Sequence, residues 1–300
     1  MLFVESIELN IWTRPLFLDI HFGVAMAYIM IEGPDGSGKT ESASRLLASL
    51  KDAGYDAIAV REPGNGTLGT LVRSTLSGIS AGNYNDMKSY FQDGSGTERL
   101  LDRIAGKACD VIDAQERNAL TSNYAAIKGL LRSDGVLDRL LNALTTAKEI
   151  DIESLQLLFT AVRSEDMKRL SPFLAKKDTV VISDRGYPST ITYAESGGPN
   201  AEYVEFLKLI NSRFPRPNLM FVLSAQPDIL FKRIQVRGGR ERFDSPETIR
   251  NLIESYKRNY PDAVYIDASQ SREKVHEEIM GHVISLLRKL EVRPINLQKK

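Results

Sequence analysis

The sequence predicts an α/β fold, a doubly wound five-stranded parallel sheet carrying a helical insertion. Three observations predict it. A phosphate-binding loop pattern sits between a strand-like and a helix-like run. Five short β-rich runs are separated by helical patterns. One long stretch, 78–150, has a loop-like and then helical composition.

The loop comes first. Gly33-Pro34-Asp35-Gly36-Ser37-Gly38-Lys39-Thr40 fits the pattern of Gly, four residues, Gly, Lys and Ser/Thr. An apolar run, 28–31, feeds it and a helix-like run, 42–50, leaves it. That order places backbone N–H groups at a helix N-terminus, where they wrap phosphate oxygens. Gly33, Asp35, Gly36, Ser37 and Gly38 form the cradle. Lys39 is expected to reach the β- and γ-phosphates of a nucleoside triphosphate, and the Thr40 hydroxyl to hold Mg²⁺.

The β-rich runs are 28–32, 57–61, 179–183, 219–224 and 263–266. Apolar runs with helices between them predict a parallel sheet covered on both faces. The interruption opens with Gly78, Gly82, Asn83, Gly94 and Gly96, and apolar residues then recur at helix spacing from Leu100 to Leu144. The expected organisation is one domain made of 26–77 and 151–290, an insertion at 78–150 and a tail at 291–300. Met26-Ala27-Tyr28 reads as a chain start. Residues 1–25 are then an extension, either an arm using Trp12 and Phe17 or an upstream reading of the start codon.

Composition narrows the partners. Thirty-nine basic and thirty-nine acidic residues leave the 300-residue chain without net charge, so no global field draws it to nucleic acid or an anionic membrane. No segment is apolar over a bilayer's thickness. The first 25 residues carry Glu5, Glu8 and Asp19 and do not read as a signal peptide. Cys109 is the sole cysteine, which excludes an intrachain disulfide and a Cys-rich zinc site. His21, His276 and His282 are scattered. A cytoplasmic location is expected.

Four further segments carry chemistry. Arg61-Glu62-Pro63-Gly64 makes a sharp turn at the carboxyl end of the second strand, where ligands sit in open α/β folds; an ordinary strand exit is the plain alternative. Asp184-Arg185 ends the third strand, where the carboxylate suits Mg²⁺ and the guanidinium suits a phosphate. Phe159 and Arg163 share a helix face, either stacking on and reading a base or serving as core and solvated surface. After the fourth strand, Lys232-Arg233 and 237–244 form a basic segment hinged at Gly238 and Gly239. It is either a lid that brings arginines to phosphates or a solvated loop.

Taken in order, these pieces resemble the thymidylate kinase family. They are 31–40, Arg61 to Gly64 with Thr67, Leu158-Phe159 with Arg163, Asp184-Arg185 with Ser189 and Tyr193, Pro217-Asn218-Leu219, Lys232-Arg233, Arg237-Gly238 and Arg242-Phe243-Asp244. The resemblance implies a P-loop kinase fold, ATP and Mg²⁺ as cofactors, and conversion of dTMP to dTDP. It places Arg73 and Arg185 on the acceptor phosphate and Asp35 near the acceptor sugar. Glu62, Pro63 and Tyr193 join the acceptor site, with Phe159 stacked on thymine and Arg163 at its edge. Arg233 would assist ATP, and Arg237 and Arg242 would be the lid arginines. Gly36 and Ser37 stand inside the loop, so the catalytic arginine is expected from the lid, as in bacterial members. A homodimer, altered by the insertion, is also implied.

Three positions depart from the family pattern. Gly186 replaces an aromatic or histidine, Val162 stands in place of an aspartate or asparagine before the helix arginine, and Ala194-Glu195-Ser196-Gly197-Gly198 follows Tyr193 where the family commonly offers a glutamine to the base. Glu195 is the candidate replacement. Two alternatives therefore stay open: a kinase for another deoxynucleoside monophosphate, such as a modified pyrimidine, and a nucleotide-binding module acting through its insertion.

Overall fold

The computed structural model describes residues 27–64, 69, 72, 151–198, 200–236 and 245–295. The expected extension 1–25, the expected insertion 78–150, and Thr67, Arg73, Arg237 and Arg242 lie outside the described residues.

Twelve elements are described. They run β1 (Ala27–Glu32), α1 (Lys39–Asp52), β2 (Asp56–Arg61), α2 (Ile152–Leu174), β3 (Thr179–Asp184) and α3 (Tyr187–Ser196). Then come α4 (Ala201–Asn211), β4 (Leu219–Ser224), α5 (Pro227–Val236), α6 (Pro246–Asn259), β5 (Val264–Asp267) and α7 (Arg272–Lys289). All five strands lie in one parallel sheet of order β2-β3-β1-β4-β5. The chain moves from β1 to one side of the sheet, then crosses β1 to build the other. Every strand falls within one residue of its expected span.

β1 is buried along its whole length because helices cover both faces. Ala27, Ile29 and Ile31 join Leu46 and Leu50 of α1 and Ile279 and Val283 of α7. Tyr28 and Met30 point the other way and pack with Val181 of β3 and Leu170 and Leu174 of α2. The period-2 alternation of a strand thus feeds two cores. A smaller core joins Leu230 and Ile234 of α5 to Ile249 of α6.

Capping explains where several helices begin. Asp151 accepts the Ser154 amide at 2.9 Å and starts α2, and Asn200 accepts the Tyr203 amide at 2.7 Å and starts α4. Ser245 and Ser271 do the same for α6 and α7. α2 is longer than its apolar pattern suggests. Residues 154–158 and 160–164 are all buried, so this helix has no polar face there to mark a period. The expected tail also begins later. Val292 is buried in the core, and the Ile295 amide donates to the Gly54 carbonyl at 2.8 Å.

Leu46, fully buried between α1 and the sheet, should be a strong stability determinant. Leu46→Ala is expected to lower unfolding free energy by about 2–5 kcal/mol in a urea titration. Ala48→Gly, on the exposed face of the same helix, is expected to cost about 1 kcal/mol.

Candidate functional site

The phosphate-binding loop leaves β1 at its carboxyl end and enters α1 at Lys39. Gly33 has φ 133°, and a Cβ there would stand 2.1 Å from the Leu223 carbonyl oxygen of β4. Only glycine lets the loop turn that tightly against the sheet. Gly38, at φ 91°, is the left-handed residue that opens α1 and aims its first amides into the loop. Lys39 is buried, and its Nζ donates to the Pro34 carbonyl at 2.7 Å inside the cradle. Burial first, then Arg185, lowers its pKa to about 8, which leaves it largely cationic at neutral pH. The buried Ser37 hydroxyl has no hydrogen-bond partner among the described residues.

Arg185 forms the neighbouring wall. β1 and β3 pair in parallel with Ile31 opposite Asp184, so both strands end at one level. The Arg185 amide continues that ladder onto the Ile31 carbonyl at 3.0 Å. Its φ of 73° is rare for a non-glycine residue and turns the side chain back over the loop. There the guanidinium pairs with Asp35, approaches the Tyr193 hydroxyl at 3.3 Å and donates to Ser189 at 3.0 Å. The Tyr193 hydroxyl itself donates to Asp35 at 3.0 Å. Burial works to raise the Asp35 pKa, but Arg185 and Lys39 outweigh it and hold the carboxyl well below the usual range. The result is a fixed cation beside the loop, already oriented by a carboxylate and a phenol.

Thr40 and Asp184 meet on the other side of Lys39. The Thr40 hydroxyl donates to Asp184 Oδ2 at 2.5 Å. A hydroxyl and a carboxylate at the mouth of a phosphate loop are the hard oxygen donors that Mg²⁺ takes, with water and phosphate oxygens completing its shell. The residues present fit that ion.

The third wall is α2. Arg163 is buried and held by three partners: Glu62 Oε2 at 2.8 Å from Nε, Asn211 Oδ1 at 2.6 Å and the Thr190 hydroxyl at 3.0 Å. The alternative of a solvated Arg163 is corrected by this packing. Its guanidinium is enclosed because the Asn211 end of α4 and the β2 exit both bring acceptors to it. Phe159, one turn earlier, is partly exposed within an otherwise buried run. The Glu62–Pro63 bond is cis, and Asp166 of α2 accepts the Gly64 amide at 2.8 Å. The Asp166 hydrogen bond ties the strand exit to α2.

Two expected residues have partners in other elements. Glu195 is taken by α6, through Arg258 at 3.0 Å, Asn259 at 2.8 Å and the Ser255 hydroxyl. Arg233 donates to the Ala268 carbonyl at 2.9 Å, next to β5.

Sequence reasoning missed Glu32. This fully buried carboxylate accepts the Gly186 amide at 2.8 Å, the Ser189 hydroxyl at 2.7 Å and the Tyr256 hydroxyl at 2.8 Å. Burial raises its pKa. An acid at the end of a wholly apolar strand, immediately before the loop, was the available signal. Gly186 also acquires a reason, because a Cβ there would stand 2.4 Å from the Met30 methyl.

Burial pushes the Glu62 carboxyl up to about 7, against the pull of Arg163. The folded protein therefore holds that proton to higher pH than the unfolded chain, where the ordinary value is 4.5. Between about pH 4.5 and 7 this group makes stability fall as pH rises. Glu62→Gln should flatten that slope relative to wild type in urea titrations across this range. An unchanged slope would place the proton elsewhere.

A family model described as Thymidylate kinase matches residues 31–92 and 133–279, leaving 93–132 unmatched within the expected insertion. Among curated relatives, a probable thymidylate kinase of Pyrobaculum aerophilum is 27% identical over 256 residues, covering 85% of this chain and 94% of the relative. One from Pyrococcus horikoshii is 24% identical, covering 85% and 95%. A thymidylate kinase of an Exiguobacterium species is 21% identical, covering 87% and 95%. Among the described residues no helix is long and apolar enough to cross a membrane. With the phosphate loop, Arg185 and α2 brought to one end of the sheet and the family pattern spanning both halves of the chain, this protein belongs to the thymidylate kinase family.

Proposed function

We propose that the protein is a dTMP kinase, transferring the γ-phosphoryl group of ATP to dTMP to give dTDP for dTTP synthesis. One observation carries this reading: Arg185 is held over the phosphate loop by Asp35 and Tyr193, so a second anion site adjoins the first. A donor phosphate chain in the loop and an acceptor phosphate at Arg185 would lie side by side.

Transfer joins an acceptor phosphate oxygen to the γ-phosphorus and breaks that atom's bond to the bridging oxygen of ADP. Such a reaction needs in-line positioning and charge neutralisation more than covalent help. Lys39 and the loop amides would grip the donor phosphates, and Gly33, Gly36, Ser37 and Gly38 would let them approach. Arg185 would fix the acceptor phosphate, with Asp35 setting the guanidinium and facing the sugar. Thr40 and Asp184 would hold Mg²⁺, which when bound supplies positive charge to the phosphate oxygens. Phe159 would stack on the base, while Arg163, braced by Glu62, would meet its edge. Arg73, Arg237 and Arg242 are assigned to the acceptor phosphate and the lid by resemblance.

A second reading is transfer to another pyrimidine deoxynucleoside monophosphate. Two observations favour it: Ala194 is buried and has no polar side chain to offer a base, and Glu195 is engaged by α6. A homodimer and a cytoplasmic location remain part of the proposal by family likeness.

A coupled ADP-release assay with ATP, Mg²⁺ and each deoxynucleoside monophosphate tests both readings. The expected result is highest kcat/KM on dTMP. Lys39→Ala should lower kcat by about 100-fold or more, the scale for losing one fixed cation or donor at a transferring group. Faster transfer to a 5-substituted dUMP or to dCMP would keep the kinase and replace its substrate. ADP release independent of every monophosphate would sink the kinase reading.

A further inference from the structure

Gln156 of α2 is 1% exposed, and its Nε2 has no hydrogen-bond partner among the described residues. A buried donor left unpaired costs about 1–3 kcal/mol, so native chains seldom keep one idle. Its neighbours on the helix indicate a use. Gln156, Phe159 and Arg163 follow at spacings of three and four and share one face. Phe159 is the partly exposed residue in the buried run 154–164.

The facing helix gives the level. Arg163 meets Thr190 near the start of α3 at 3.0 Å. At the other end, a Cβ on Gly197 would stand 2.8 Å from Ile152 Cγ1. The two helices are therefore antiparallel, and Gln156 lies at the level of Ala194. Ala194 is fully buried and follows Tyr193, whose hydroxyl reaches Asp35. A nucleotide with its phosphate at Arg185 and its ring on Phe159 would present its base edge along this helix face.

We propose that Gln156 reads the acceptor's base edge, its Nε2 donating to the carbonyl at position 4 of a pyrimidine ring. It supplies the amide that the stretch after Tyr193 lacks. This rests on the nucleoside monophosphate acceptor proposed above. The chemical class follows from the donor: a 4-oxo pyrimidine, thymine or uracil, accepts at position 4, whereas the 4-amino group of cytosine does not.

The test uses the full chain carrying Gln156→Leu, with Gln156→Met as an unbranched second variant. KM and kcat are measured for dTMP, dUMP and dCMP, and Tm is measured without ligand. The expected result is a KM for dTMP raised about tenfold, the scale of one lost hydrogen bond at a buried site. kcat should stay within about threefold, and the preference for dTMP over dCMP should narrow. Tm should rise by about 2–4 °C, because an unpaired donor has left the core. A Gln156 with a purely structural role would give the opposite sign in Tm. Unchanged KM and base preference would overturn the proposal, as would a fall in Tm with equal losses on all three monophosphates. If wild type transfers to none of them, the kinase reading fails by itself. Calorimetric titration with dTMP then decides Gln156: weaker binding to Gln156→Leu supports it, and equal or absent binding overturns it.

Discussion

The pairing of β1 with β3 is the constraint on which the rest of the site depends. Ile31 sits opposite Asp184, and the ladder continues through the Arg185 amide. This one register places the loop, the carboxylate facing Thr40 and the arginine facing Asp35 at a common edge. A slip of one residue would turn Asp184 to the other face and carry Arg185 away from the loop. Apolar side chains on both faces of β1 oppose such a slip, since it would reverse the assignment of residues to the two cores. The packing of the sheet thus guards the geometry of the chemistry.

Buried charge is the second theme. Arg163 and Glu32 are buried, Glu62 and Arg185 nearly so, and Asp35 remains partly exposed, but each carries specific partners. Burying an ion costs several kcal/mol before its partner compensates, so such clusters are poor devices for stability alone. They are well suited to holding a guanidinium in one orientation without further reorganisation. The left-handed backbone at Arg185 is consistent with that, because the chain accepts a conformation that a non-glycine residue rarely adopts. Glu32 extends the cluster to Tyr256 of α6, so the helix that follows 237–244 is tied to the base of the loop.

Much of the site was legible in sequence because its signals are local. Gly33 to Thr40 is contiguous, and its spacing is dictated by the shape of a phosphate chain. Asp184-Arg185 was legible because a strand end has only one location in a parallel sheet. Arg163 was only half legible. Helix spacing put it beside Phe159, but its partners Glu62, Thr190 and Asn211 come from three other segments. Asp166 and Gln156 were invisible for the same reason. One is defined by an amide far away in sequence, the other by an Nε2 with no partner among the described residues.

Strand positions, helix alternation and the phosphate loop were determined by the sequence alone, since each follows from periodicity or from contiguous spacing, whereas the strand order β2-β3-β1-β4-β5 came from the folded sheet. Tertiary structure decided which polar groups meet. It assigned Glu195 to α6, enclosed Arg163 among Glu62, Thr190 and Asn211, and buried Gln156. The physical reason is that hydrogen bonds and ion pairs act over about 3 Å, while Glu32 and its partner Tyr256 are separated by 224 residues. No pattern read along the chain carries that distance.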